Sequence, residues 1–539
     1  MAPAYSLALT LIVTGPLLSP GYLLLRDAVS TPRSYLSDAA LGLTQAAPRA
    51  LPQDFLIAVT SRVLDGGVAV KLLLIGGLWL AGWGAAQLVA QVLPAAGVSG
   101  ECVAVTLAIW NPYVAERLLQ GHWSLLVGYG CLPWVAAAIL QRRYWPLVFW
   151  LALAGLTPTG LVLATIVALA CCLPIGSPSL RSPRRWRAVA VTLAAAAGSA
   201  LPWLVAAVVA DSLSSTAGAG VTAFAARAEP GLGTLGSLAG LGGIWNAQAV
   251  PDSRTTLFAA LATVVLLAVV AVGLPAAIRR PEARPLLVLA VVAVVVPATM
   301  ATGPGLAALE SVVRAAPGLG LLRDGQKWVA LAMPGYVLAA AGIARLGRSA
   351  AVIGCVALIA VLPDLAWGVG GQVRSVQYPP GWSTVAAMIN ADPRPVAVLP
   401  PDSMREFSWA GDAPVLDPLP RWVSADVLSS GDLLIGGQTV PGEGARGREA
   451  TRLLLDGAPQ RELADAGIGW VVVQSADVAL NLPVAHQDSD ITLYEVGGSA
   501  PPAAGRPTLI ATHLVWVGLL VVGAIGSLTV WRREARRLR

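Results

Sequence analysis

Three polar stretches interrupt an otherwise apolar chain. PGYLLLRDAVSTPR carries Arg26 and Asp27, and IWNPYVAERLLQGHW carries Asn111, Glu116, Arg117 and His122. GLLRDGQKWVAL carries Arg323, Asp324, Gln326 and Lys327. Ionisable groups at a bilayer are costly, and they usually pair with one another or line a water-filled cavity. Singly, each stretch reads as an interfacial anchor or an internal ion pair. Three stretches emerging on one face point to a shared site.

One carboxylate among several cations suits transfer of a sugar from a polyprenyl phosphate. The lipid tail stays in the bilayer, so the phosphate rests at its surface. In an inverting transfer, one carboxylate takes the proton of the acceptor hydroxyl as it attacks the anomeric carbon. Cations stabilise the charge growing on the departing phosphate. Asp27 supplies the base, and Arg323, Lys327, Arg117 and His122 supply the phosphate contacts. Arg26, Glu116, Asn111, Asp324 and Gln326 are supporting candidates. Of 36 basic residues only Lys71 and Lys327 are lysines, and a compact, rotatable ammonium suits phosphate oxygens. The five cysteines all lie in apolar runs, which supports neither a disulfide framework nor a structural zinc site.

Membrane helices must position these groups. The 539 residues are 56% hydrophobic and 12% charged, with a mean hydropathy of +0.69. Soluble domains carry roughly 25% charged residues, so the composition is that of a polytopic α-helical membrane protein. It excludes nucleic acid as the reason for the basic balance, because arginine gathers in cytoplasmic loops. Runs long enough to cross lie near 5–25, 71–95, 102–119, 122–140, 187–209, 257–278, 286–303, 329–346, 350–368 and 508–531. The 145–175 run, broken at LTPTG, reads as two short spans, giving about 12 crossings. The N-terminus reads as a first span and not as a cleaved leader.

QRRY, SLRSPRRWR, IRRPEAR, ARLGR and the WRREARRLR tail fall on one side, which is then cytoplasmic. The three polar stretches open on the other side, toward the cell exterior. Residues 370–506 lie there too, with normal polarity and short β-like runs (PVAVLP, GWVVVQ, ITLYEV) between helix-like pieces. The reading is a small extracytoplasmic α/β domain, serving as a lid or docking module. It follows a membrane domain over 1–369 and precedes a final helix and basic tail over 507–539.

Asp27 after a first span, followed by ALPQDFLIAVTSRVLDGG along the interface, resembles the C-type (GT-C) membrane glycosyltransferases. NPYVAERLLQGHW and LLRDGQKW are similar to segments of an actinobacterial arabinofuranosyl- and mannosyltransferase-like branch. The resemblance covers roughly 5–370 by topology and three short motifs by residue type. It implies a polyprenyl-phosphate sugar donor, a cell-envelope glycan or glycolipid acceptor, and Asp27 as the catalytic base. Many members carry a second acidic motif, D-x-D or E-x-D. Here only Glu116 stands in such a place, so a divalent metal is left open and no ligand is assigned.

Two other classes remain. A transporter or flippase of a lipid-linked glycan would favour internal repeats and charges near the bilayer midplane. A non-catalytic envelope scaffold would be lost on deleting 375–500 and unaffected by changing Asp27 and Lys327 together. GLGTLGSLAGLGG (231–243) lacks the strand-then-helix context of a nucleotide loop and reads as a flexible outer loop over a cavity. Asp364 reads as a cap, and Trp145, Trp186, Trp328, Trp367, Trp516 and Trp531 as interfacial belts.

Overall fold

The structure, a computed structural model, describes residues 1–45, 49–173, 183–209, 220–435, 438–474, 478–501 and 503–537. Arg181 of the SLRSPRRWR loop and the last two residues of the tail lie outside these ranges. Among the described residues, six helices are long and apolar enough to cross a membrane: Gly66–Val92, Trp123–Leu140, Arg185–Val209, Phe258–Ile278, Gly325–Leu346 and Arg506–Thr529. Arg284–Met300 with Gly303–Ala315, and Arg348–Ala360 with Pro363–Gly371, form pairs bent by 93° and 73°. Three shorter apolar helices, Ala2–Leu18, Tyr144–Ala154 and Pro158–Cys171, complete a multi-pass membrane protein.

Between lipid-facing helices there is little hydrophobic drive, so close backbone approach matters most. Gly66–Val92 and Trp123–Leu140 cross where Gly130 meets Gly77, and a Cβ on Gly130 would lie 2.2 Å from the Gly77 carbonyl oxygen.

Two expected spans end early, and both breaks shape the site. The first helix stops by Leu18, and residues expected to extend it form strand β1, Tyr22–Leu25. The run expected to span 102–119 breaks at Trp110. There the Asn111 side chain caps a separate helix, Pro112–Leu119, by accepting from the Val114 N–H at 3.1 Å. Pro112 sits at the first helical position, where its missing N–H costs nothing.

β1 turns into β2, Ala28–Val29, and pairs on its other edge with β3, Ser375–Val376. This hairpin links the bundle to the 370–506 region. There β4 (Val396–Leu399), β7 (Val427–Leu428), β10 (Trp470–Val473), β11 (Val484–Gln487) and β12 (Thr492–Glu495) form one sheet in the order β11-β12-β10-β4-β7. β4 is parallel to both β7 and β10. β4 and β10 are buried on both faces: Val396, Val398, Trp470 and Val472 pack on one, Ala397, Leu399, Val471 and Val473 on the other. That explains their unbroken apolar sequences. Leu24 and Val29 join the first of these clusters, so the hairpin is packed between bundle and sheet. The short ribbons β5 (Met404–Arg405) with β6 (Val415–Leu416), and β8 (Leu433–Ile435) with β9 (Gln438–Val440), flank it.

Of the tryptophans expected in interfacial belts, Trp186 and Trp367 are mostly exposed. Trp516 departs from that expectation: the side chain is fully buried and its Nε1–H donates to Ala152 O at 2.8 Å. Asp364 caps as expected, accepting from the backbone N–H and hydroxyl of Ser253, both at 2.7 Å.

Candidate active site

Asp27 sits at the tip of the β1–β2 hairpin, whose pairing of Leu25 with Ala28 leaves Arg26 and Asp27 as the two turn residues. Arg26 adopts φ 49°, a left-handed conformation that costs a non-glycine residue about 1–2 kcal/mol. Its surroundings over-determine that conformation. The backbone N–H donates to Pro414 O at 2.8 Å, while Nη1 and Nη2 donate to Leu119 O at 2.7 Å and Gln248 O at 2.6 Å. Arg26 is 4% exposed and clamps the turn.

The loop after the Pro112–Leu119 helix closes over this tip. Gly121, at φ +82°, comes so near that a Cβ would lie 2.3 Å from both Ala28 N and Leu25 O. That approach places Gln120 and His122 on the acid. Gln120 Nε2 donates to Asp27 Oδ2 at 2.9 Å, and His122 Nε2 lies 3.0 Å from the same oxygen. Oδ1 has no partner among the described residues, and 39% of the Asp27 side chain is exposed. One carboxylate oxygen is anchored and the other is open.

Behind His122 stands Arg117, fully buried. Its Nη1 donates to His122 Nδ1 at 3.0 Å and to Asp324 Oδ2 at 2.8 Å, and Nη2 to Asp324 Oδ1 at 3.0 Å and to Gln326 Oε1. Arginine can only donate, so Nδ1 is bare and the imidazole proton sits on Nε2, facing Asp27. Burial pushes His122 below the usual imidazole range despite Asp27, which keeps the ring neutral. The low-dielectric setting acts to raise Asp27, but hydrogen bonds from His122 and Gln120 and the charge of Lys327 hold it below the usual carboxylate range. Burial likewise opposes, and Arg117 with Lys327 overcomes, so Asp324 stays ionised.

The network runs deeper. Gln326 Nε2 donates to Glu116 Oε2 at 2.9 Å, and the backbone N–H groups of Gly243 and Ile244 donate to the two Glu116 oxygens, both at 3.1 Å. The glycine-rich 231–243 stretch is therefore not a loop over a cavity. It forms the short helix Gly233–Ala239 and a turn that cradles Glu116. Beyond it lies a buried ion pair between Arg254 and Glu229.

Several expected site residues thus hold other partners. Arg117 and His122 were expected at a phosphate; both are committed to the chain that holds Asp27. Asn111 is a helix cap, and Arg26 is a turn clamp. Arg323 turns away: its guanidinium lies 5.3 Å over the Phe224 ring, in a recess shared with Arg49 and Glu443 beside β8–β9. Burial and Arg49 push it down to about 10, with Glu443 opposing. Lys327 remains with the acid. Its Nζ is 3.7 Å from Asp324 Oδ2, the side chain is 24% exposed, and its charge acts on Asp27.

Sequence reading missed Gln120, Asn246 and the Glu229–Arg254 pair. Asn246 Nδ2 donates to Gln120 Oε1 at 2.8 Å and so fixes which end of that amide faces Asp27. Their signal was only their polarity in apolar surroundings.

Glu116 and Asp324 already accept hydrogen bonds on both oxygens, and no group of three or more His, Cys, Asp or Glu converges among the described residues. These carboxylates do not fit a divalent metal.

No known family profile and no curated protein sequence matches the chain. Its architecture does have a counterpart among solved structures. The arabinofuranosyltransferase AftD from Mycobacteria superposes with a TM-score of 0.59 at 16% identity, over 93% of this chain and 40% of that one. At that identity the likeness is one of fold: this chain shares the architecture of the AftD structure. The likeness extends through the C-terminal sheet as well as the bundle, since it covers nearly the whole chain. The chain spans about 40% of the AftD chain's length.

Proposed function

We propose that this protein transfers a sugar from a polyprenyl-phosphate donor to a glycan or glycolipid acceptor at the outer face of the plasma membrane. The observation that carries the reading is the geometry of Asp27, anchored through Oδ2 with no partner on Oδ1 among the described residues, in surroundings that hold its carboxyl below the usual range. A general base needs a free lone pair within reach of the hydroxyl it deprotonates. Oδ1 takes the acceptor proton as the acceptor oxygen forms its bond to the anomeric carbon and the sugar–phosphate bond breaks. Lys327, with its exposed end near Asp27, meets the departing phosphate. His122 stays neutral throughout and serves as a fixed donor to Oδ2. The exposed side of Asp27 then returns the proton to water.

AftD is an arabinofuranosyltransferase, which makes an arabinofuranosyl donor the first to test and a mannosyl donor the second. In cells lacking the protein, a polyprenyl-phosphate sugar should accumulate or an envelope glycan should shorten. The wild-type gene should reverse this, and Asp27→Asn, present in the membrane at equal level, should not. Full reversal by Asp27→Asn would remove the reading.

A further inference from the structure

A second buried polar cluster lies in the sheet region, away from the membrane helices. The chain runs from β4 to β7 on one side, then crosses back to β10 on the other. The winding therefore reverses between β4 and β10. In open α/β sheets, ligands bind outside the carboxyl ends of the strands at such a reversal. Here Gln474 directly follows β10, and Pro400 to Ser403 directly follow β4.

Arg405 fills the crevice between them. Arg405, Asp417, Gln474 and Ser403 are each at least nine-tenths buried. Arg405 Nε donates to Gln474 Oε1 at 2.9 Å, Gln474 Nε2 donates to Asp417 Oδ1 at 2.9 Å, and Arg405 Nη2 lies 3.6 Å from Asp417 Oδ2. Two groups stand outside this ring: Arg405 Nη1 and Ser403 Oγ have no hydrogen-bond partner among the described residues. Buried N–H and O–H groups are nearly always paired, so each such group calls for an explanation. The rim is close to solvent, with Asp402 exposed and Pro400 and Pro401 half-buried.

Charge chooses the ligand class. Asp417 offsets the guanidinium, and the carboxylate of Asp402 also acts on it, so the crevice carries no net positive charge for an anion. Its unpaired groups are an N–H and a hydroxyl, and the amide and carboxylate beside them already bond each other, a charge-balanced setting that suits sugar oxygens. Position chooses the role. Arg405 pairs with Val415 across the β5–β6 ribbon, and Val415 bridges to Arg26, the neighbour of Asp27. Two such strand spacings put the Arg405 backbone roughly 10 Å from the hairpin tip.

We infer that this crevice is a saccharide subsite, holding a sugar of the acceptor while its reacting hydroxyl lies at Asp27. The inference rests on the glycosyl transfer proposed above. Its test uses the purified full-length protein in lipid nanodiscs, with a tetra-arabinofuranoside, a tetramannoside and inorganic phosphate as probes in titration calorimetry. One of the saccharides should bind, Ser403→Ala and Gln474→Ala should each weaken it tenfold or more, and Asp27→Asn should bind like wild type. Hydrogen exchange on the wild-type protein needs no variant: the saccharide should protect 396–405 and 470–474. Phosphate binding without saccharide binding, no binding at all, or protection only elsewhere overturns the subsite. If Ser403→Ala loses binding while Asp27→Asn still transfers at full rate, the subsite stands and the assignment of the base fails.

Discussion

His122 and Gln120 both anchor the same oxygen of Asp27, Oδ2, at 3.0 and 2.9 Å. A carboxylate gripped this way keeps its orientation and leaves Oδ1 for another partner. The imidazole can donate to Asp27 only because Arg117 occupies its other nitrogen. Four side chains from three distant stretches, Asp324, Arg117, His122 and Asp27, thus act as one unit.

His122 lowers the proton affinity of Asp27. In His122→Ala that support is gone and the Asp27 pKa rises toward and past the ordinary range. The acid limb of the pH profile of kcat/KM should move to higher pH, with activity reduced at every pH below it. Rate measurements across pH 3–8 on both proteins check this; an unmoved limb contradicts it.

The pH dependence of stability follows from the same ring. The folded His122 pKa is depressed, so the unfolded chain takes up the proton first as pH falls. Stability should be fully present above the unfolded value, about 6.5, and decline as pH drops from there toward the folded value. Asp27 and Asp324, also depressed, lose their contributions only below the ordinary carboxylate range. Thermal melts at pH 7.5 and 5.5 should show a drop in wild type that is smaller in His122→Gln.

Arg117→Met leaves Asp324 buried without its bidentate partner and Glu116 beside an unneutralised neighbour. Breaking a buried pair from one side costs about 3–5 kcal/mol. A fall in Tm of several degrees, with loss of transfer, is expected. Arg117→Lys should recover part of the stability but little transfer, because an ammonium lacks the fork that serves Asp324 and His122 together.

Gly121→Ala should misplace the acid without touching it. A methyl group 2.3 Å from Ala28 N and Leu25 O must push the hairpin tip away. A shift near 1 Å in a catalytic group can cost about 10²-fold. The variant should reach the membrane normally and transfer at least tenfold more slowly. Wild-type rates would show that the tip has more freedom than its contacts suggest.

Most of the bundle was readable because a span needs about 20 apolar residues and little else. The breaks were not. YLLL at 22–25 has the hydropathy of a helix continuing, and becomes a strand because Ala28–Val29 and, some 350 residues later, Ser375–Val376 pair with it. Asp27 was legible as a lone acid after a first span. Its partners were misassigned: charge near a membrane suggested phosphate contacts for Arg117 and His122, whereas burial commits them to holding other side chains. Arg323 and Lys327 are four residues apart, yet the Gly325–Ala332 turn sends them to different surroundings. No pattern in the sequence marked Gln120 or Asn246, whose roles exist only once the loop folds back on the hairpin.

The most direct test of the account is transfer in vitro from a radiolabelled polyprenyl-phosphate pentose to a short glycan acceptor by purified Asp27→Asn in nanodiscs. Asparagine keeps the shape and can still meet Gln120, but has no carboxylate to accept a proton. The account predicts a folded protein with transfer reduced at least a thousandfold, a loss within the general-base range of about 10²–10⁴. Transfer within a few-fold of wild type would contradict it.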